Sequence, residues 1–281
     1  MLEFGIVDAH VHLIDRSRFK YDWTEGLAPL EGDFALDDLI RQAKPYRIEG
    51  VVFVEVDADK PREEAEWVDG IAVADPRLKG AVVSLDLERG AAAEEDVARL
   101  AALKSTRGVR RLLQGEADPD FALRPDFLAG LKLLPKYGLS FDVCVRAPQL
   151  PMALEMARRC EDVSFILDHI GKPDIKAGPA APWKDAISEL ARLPNVAVKL
   201  SGLTTEADPL EWTPAQLKPF IDWTCERFGI ERILYASDWP VCRFAGDYLQ
   251  WLVTLEQAVD DFTEGEKRNL FADNARRVYR L

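Results

Sequence analysis

Residues 4–13 read FGIVDAHVHL, an apolar run that closes on His-x-His. Runs of this kind recur along the chain. They are IEGVVFVEVDA (48–58), LKGAVVSLDL (78–87), RGVRRLLQ (107–114), LSFDVCVR (139–146), VSFILDHIG (163–171), NVAVKLSGL (195–203) and RILYASDWP (232–240). Rich in Val, Ile, Leu and Phe, they have the composition of strands buried on both faces of a parallel sheet. Most intervening stretches carry helical patterning: Leu36 to Lys44, Arg62 to Val73, Ala91 to Leu103, Asp126 to Tyr137, Leu150 to Cys160, Trp183 to Leu193 and Pro214 to Phe228. Two more helices, Asp247 to Asp261 and Glu264 to Tyr279, close the chain. Eight strands alternating with helices predict an α/β fold, a (β/α)8 barrel, because eight is the strand number that closes in this way. A doubly wound open sheet is the alternative, and no strand is followed by the Gly-x-Gly-x-x-Gly turn that would favour it.

The chain has 281 residues and no Ser/Gly-rich linker, low-complexity tract or internal repeat, so one barrel domain over 1–281 is expected. Its densest Pro/Ala/Gly stretch, Pro173 to Pro182, reads as a loop. Hydrophobic residues at 48% and charged residues at 30% fit a globular enzyme and exclude a disordered one. A net charge of −13 repels phosphate backbones and anionic lipid, which argues against nucleic-acid and membrane-surface partners. Cys144, Cys160, Cys225 and Cys242 form no C-x-x-C pair, and the N-terminus has no leader-like pattern. A reduced, cytoplasmic setting is the expectation.

Active sites of such barrels lie at the C-terminal ends of the strands. All three histidines of the chain fall there: His10 and His12 on strand one, His169 on strand six. Residues i and i+2 share a strand face, so both members of His-x-His can turn into the barrel mouth. Asp238 closes strand eight in ASDWP and is the candidate general base; its alternative role is a turn cap before Pro240. Arg110 and Gln114 on strand four, Arg146 on strand five, Lys172 after strand six, and Lys199 with Ser201 on strand seven are candidates for polarising a carbonyl or binding hydroxyls. Glu55 and Asp57 share a face at the end of strand two, while Arg111 has the opposite parity to Arg110. Tyr21 and Trp23 in the loop after strand one, and Trp239 beside Asp238, are candidates to cover a substrate ring. There is no Gly-x-Ser-x-Gly elbow, Walker A loop or His-Glu-x-x-His, so the pattern points to attack by water rather than by a serine.

VDAHVHL, GVRRLLQ, LDHIGKP, VKLSGL with TEAD following, and YASDWPVC together resemble the amidohydrolase-related (amidohydrolase 2) family. Within it they are similar to the sugar-acid lactonase branch of fuconolactonase, rhamnonolactonase and pyrone-dicarboxylate lactonase. The resemblance runs from Ile6 to the C-terminus. It implies a (β/α)8 barrel, hydrolysis of a small lactone, water activated by Asp238, a site lined by His10, His12 and His169, and basic side chains around the carbonyl. Many amidohydrolases add a metal-ligand His on strand five and some a bridging Lys on strand four. Here those strands read FDVCVR and RGVRRLLQ, which argues against a binuclear centre. A single divalent ion, zinc or manganese, would take His10, His12 and Asp238, with His169 as a fourth ligand and Cys144 as a poor substitute for the missing His. The branch includes members that need no metal, and metal-independent catalysis is the expectation. Two other functions compete with it: a mononuclear metal-dependent decarboxylase or hydratase of the same superfamily, and a barrel that binds a sugar acid without turnover.

Overall fold

The computed structural model describes residues 1–281. Eight strands form one parallel sheet in the order β1 to β8: β1 (Ile6–Val11), β2 (Ile48–Val54), β3 (Leu78–Ser84), β4 (Thr106–Arg110), β5 (Ser140–Val143), β6 (Phe165–Leu167), β7 (Val196–Leu200) and β8 (Ile233–Tyr235). Helices follow each in turn: α1 (Leu36–Gln42), α2 (Pro61–Ala74), α3 (Glu94–Ala101), α4 (Pro125–Leu131), α5 (Leu150–Arg159), α6 (Ala181–Ala191), α7 (Pro214–Phe228) and α8 (Tyr248–Ala258). The arrangement is a (β/α)8 barrel. Two further helices, α9 (Glu264–Arg268) and α10 (Asn274–Tyr279), end the chain. No helix is long and apolar enough to cross a membrane.

Several strands are shorter than the sequence predicts. The ladder of β4 ends at Arg110, that of β6 at Leu167 and that of β8 at Tyr235. Gln114, His169 and Asp238 therefore stand on turns beyond the strands. Apolar runs continue past the last paired residue because the loops at the barrel mouth are themselves buried, so composition overstates strand length.

Alternation sorts the strand side chains into two cores. Phe53, Phe141, Phe165 and Val198 face outward into the large apolar shell under the helices. There Phe127, Phe141 and Phe165 form an edge-to-face ladder with centroids 6.0 and 6.1 Å apart. Val52, Val54, Val82, Ile166, Ala197 and Leu234 make a smaller cluster with Ala272, Ala275 and Tyr279 of the C-terminal segment. Above it the interior turns ionic. The Tyr279 hydroxyl donates to Asp142 Oδ2 at 2.7 Å; Lys199 Nζ lies 2.5 Å from that oxygen and 2.8 Å from Asp168 Oδ1. Arg110 Nε donates to Glu55 Oε1 at 2.5 Å, and its Nη1 lies 3.2 Å from Asp168 Oδ2.

The ring closes between β8 and β1. His12 N–H donates to Trp239 O at 2.7 Å, and Asp238 N–H donates to His10 O at 3.0 Å. Buried Asp8 reinforces the junction, since its Oδ1 accepts from Ser237 N at 2.9 Å and His10 N at 3.1 Å. Register slips within β1 between Asp8 and Val11. Both of those residues pair with outward-facing partners of β2, so Ala9 and His10 turn inward together, as a bulge allows.

Lys199→Ala leaves Asp142 and Asp168 buried without their shared cation. We expect a loss of about 3–5 kcal/mol in equilibrium urea unfolding, the usual consequence of removing one partner from a buried ion network. A loss below about 1 kcal/mol, the range of an exposed pair, would show that the network carries little of the fold's stability.

Candidate active site at the barrel mouth

A cavity of about 190 Å³ opens at the C-terminal ends of the strands, lined by His12, Trp23, Val56, Asp57, Arg110, Leu112, Gln114, Cys144, His169, Lys172, Asp238 and Val241. Backbone strain marks the same place. Of the six non-glycine residues with positive φ, five are Asp57, His169, Ile170, Lys172 and Asp238. Such conformations cost of order 1–3 kcal/mol each and persist where surrounding structure enforces them, as at functional sites.

Asp238 is at the centre. The β8–β1 junction carries its carboxylate to His10 and His12: Oδ1 is 3.5 Å from His10 Nε2 and 3.3 Å from His12 Nε2, and the two Nε2 atoms are 3.3 Å apart. Its other oxygen, Oδ2, is 3.9 Å from His169 Nε2. Each ring is held from behind. His12 Nδ1 donates to Val54 O at 2.8 Å, which leaves its Nε2 lone pair facing Asp238. His10 Nδ1 lies 3.3 Å from Asp168 Oδ1 and 3.1 Å from Lys199 Nζ. His169 Nδ1 bonds Ser201 Oγ at 2.8 Å, and its ring lies over Gly202, where a Cβ would come within 2.8 Å of His169 Cβ.

Burial and the ammonium of Lys199 hold His10 well below the usual imidazole range, and burial pushes His169 down to about 4. Burial opposes ionisation of Asp238, but the neighbouring His169, His12 and His10 outweigh it and hold the carboxyl below its ordinary value. The site therefore pairs an ionised Asp238 with His10 and His169 held toward their neutral forms.

The three converging atoms suit one metal ion. Zinc–ligand bonds of about 2.0–2.1 Å in tetrahedral geometry put donors about 3.3 Å apart, the spacing found among His10, His12 and Asp238. A second cluster, His10 with Asp168 and His169, shares His10. Its Asp168 is already engaged by Lys199 and Arg110. Cys144 lines the cavity but belongs to neither group.

Other candidates from the sequence divide. Gln114, Lys172 and Trp23 line the cavity; Lys172 Nζ donates to Gln114 Oε1 at 2.6 Å, and Trp23 Nε1 to Val56 O at 2.8 Å. Arg110 reaches the cavity with its guanidinium committed to Glu55, Asp168 and the Glu55 carbonyl. Lys199 and Trp239 require correction. Lys199 is fully buried below the cavity because inward parity sends it to Asp142 and Asp168. Trp239 is equally buried, edge-on to Phe34 with its Nε1 on Gln42 Oε1, because its main chain pairs with β1 and its ring turns outward. Tyr21 is buried, Arg146 is exposed, and neither lines the cavity. Asp8, Asp142 and Asp168, all fully buried, lie outside the candidates that position at strand ends identifies. Their signal was present: each is a lone acid inside an apolar strand run, where only a partner makes burial tolerable.

A parallel barrel with histidines and an acid gathered over its axis defines the class, a (β/α)8 barrel with a polar site at its mouth. More particularly, the chain belongs to the amidohydrolase family, whose model matches residues 7–281. It is 34% identical over 280 residues to L-fucono-1,5-lactonase of Burkholderia ambifaria, covering 98% of this chain and 95% of that protein. It is 25% identical to L-rhamnono-gamma-lactonase of Scheffersomyces stipitis over the whole of both chains. Among solved structures, an amidohydrolase from Burkholderia multivorans with bound zinc is 30% identical and superposes with a TM-score of 0.91, over 99% of this chain and 100% of that one.

Zinc titration of chelator-stripped protein, followed by calorimetry, should show one equivalent bound per chain, with the step lost in His12→Ala. Two equivalents on the wild type would contradict a site limited to His10, His12 and Asp238.

Proposed function

We propose that this chain opens a small sugar-acid lactone of the L-fuconolactone or L-rhamnonolactone kind with water. The observation that carries the reading is Asp238, an ionised carboxylate that lines a small cavity with His12 and His169 and has His10 buried behind it. The lactonase relatives give it independent support.

Its two carboxylate oxygens divide the work. Oδ1 faces the His10–His12 pair, which orients the group. Oδ2 and His169 Nε2, 3.9 Å apart, are too distant for a direct hydrogen bond and suitably spaced to hold one water between them. The lactone lies against Trp23, Leu112 and Val241, with its carbonyl carbon above that water and its carbonyl oxygen toward the cavity's N–H donors. As water attacks, Asp238 takes its proton. The protonated carboxyl then gives that proton to the leaving ring alkoxide. No covalent enzyme intermediate is needed.

A divalent ion held by His10, His12 and Asp238 would supply Lewis acidity to the carbonyl or the attacking water. An ester is far more electrophilic than an amide, and the reaction proposed here does not require the ion. The small-molecule lactone is the partner in this reading.

Proton release from a panel of aldono-1,4- and 1,5-lactones, followed with a pH indicator on metal-stripped protein, tests the proposal. Turnover of one stereochemical set is expected, and Asp238→Asn should lower kcat by about 10²-fold or more. Near-normal turnover by that variant would remove Asp238 from the role. Silence reversed only by zinc or manganese would make the ion essential, and silence under both conditions would favour the decarboxylase or hydratase alternative.

A further inference from the structure

We infer that Lys172, with Gln114 beside it, receives the oxyanion of the attacked lactone and then holds the carboxylate of the ring-opened product; the inference rests on the lactonase reading above. The cations beneath the mouth are neutralised. Arg110 is paired with Glu55 and Asp168, and Lys199 with Asp142 and Asp168. Lys172 differs. It is half-buried in the cavity wall, it forms no ion pair, and its side-chain partner is the neutral amide oxygen of Gln114 at 2.6 Å. An ammonium has three donors, so two remain for a ligand. The Gln114 Oε1 also accepts from Cys144 Sγ at 3.6 Å, which leaves the amide N–H groups of Gln114 as further donors.

The backbone is bent to this end. Residues 169–172 all have positive φ (54°, 47°, 73° and 46°), a left-handed turn that three of the four side chains disfavour. It is closed by Lys172 N–H on His169 O at 2.9 Å and braced by Trp183 Nε1 on Ile170 O at 2.9 Å. One turn thus carries His169, which faces Asp238, and Lys172, which faces Gln114, in the same cavity.

The step balances. Water oxygen bonds the carbonyl carbon while Asp238 takes one proton, and the carbonyl π pair moves to oxygen beside Lys172 and Gln114. Collapse re-forms the C=O, breaks the ring C–O bond and sends the proton from Asp238 to the alkoxide. The new carboxylic acid then releases a proton to solvent and remains as a carboxylate against Lys172. With Arg110 committed and Asp57 in the wall, one free cation suits a lactone that is neutral before opening. A lactone already bearing carboxylates would meet Asp57 and Asp238 without a second counter-charge.

The test compares wild type, Lys172→Met and Lys172→Gln on L-fucono-1,5-lactone, with calorimetric binding of its aldonate and of an uncharged 1,5-anhydrohexitol. Either variant should lower kcat by about 10²-fold, the usual effect of removing an oxyanion donor. Aldonate affinity should fall at least about tenfold, the loss of one charge-assisted contact, while anhydrohexitol affinity stays unchanged. Unchanged kcat and aldonate affinity in a variant that melts like wild type would overturn the assignment. If the wild type turns over no lactone yet loses aldonate affinity on Lys172→Met, the anion site stands and the lactonase reading falls.

Discussion

The junction between β8 and β1 is the constraint on which the site depends. Two backbone hydrogen bonds, Asp238 N–H to His10 O and His12 N–H to Trp239 O, bring together residues more than two hundred positions apart in the chain. Once that seam forms, the Asp238 carboxylate has little choice of position. Asp8 ties the same seam from the outer side by accepting from both Ser237 and His10. The bulge in β1 lets one short strand present His10 and His12 inward around an outward Val11. Closure of the barrel and assembly of the site are thus the same event, which is why a change in this seam should act on fold and chemistry together.

Below the seam, the barrel axis holds charges where a simpler barrel holds branched aliphatics. Asp142, Asp168 and Glu55 would each be costly alone in this interior, and Lys199 and Arg110 make them tolerable. Burial opposes the charge on Asp168, but Lys199, His10 and His169 hold its carboxyl well below the usual range. The network is a rigid platform under His10. It also commits Arg110, so in the proposed reaction recognition of substrate is assigned to the Lys172–Gln114 pair, the histidines and the apolar wall.

Much of this was legible in the sequence. Periodic apolar runs predicted eight parallel strands, and the barrel has them in sequential order. Position at strand ends singled out His10, His12, His169 and Asp238, which do converge. What composition could not supply was direction. Parity identified Lys199 as inward but not its depth, so a residue at the axis read as one at the mouth. Trp239 lies next to Asp238 in sequence and points the other way, because Asp238 has a left-handed backbone and Trp239 bridges outward-facing Val11 of β1. The lone acids Asp8, Asp142 and Asp168 were visible as oddities in apolar runs, but most of their partners come from distant parts of the chain. The left-handed turn at 169–172 had no such signal beyond Gly171, since His, Ile and Lys rarely adopt that backbone.

In the proposed reaction Asp238 delivers water directly to the carbonyl of a lactone. A single turnover in H2¹⁸O, with protein in excess, tests it most directly, the product and the peptide containing Asp238 both being read by mass spectrometry. One ¹⁸O atom in the product carboxylate and none in Asp238 is the expected result. Label in the Asp238 carboxylate would show that the side chain itself attacked, and label in the released ring hydroxyl would show cleavage of the other C–O bond; either result would contradict it.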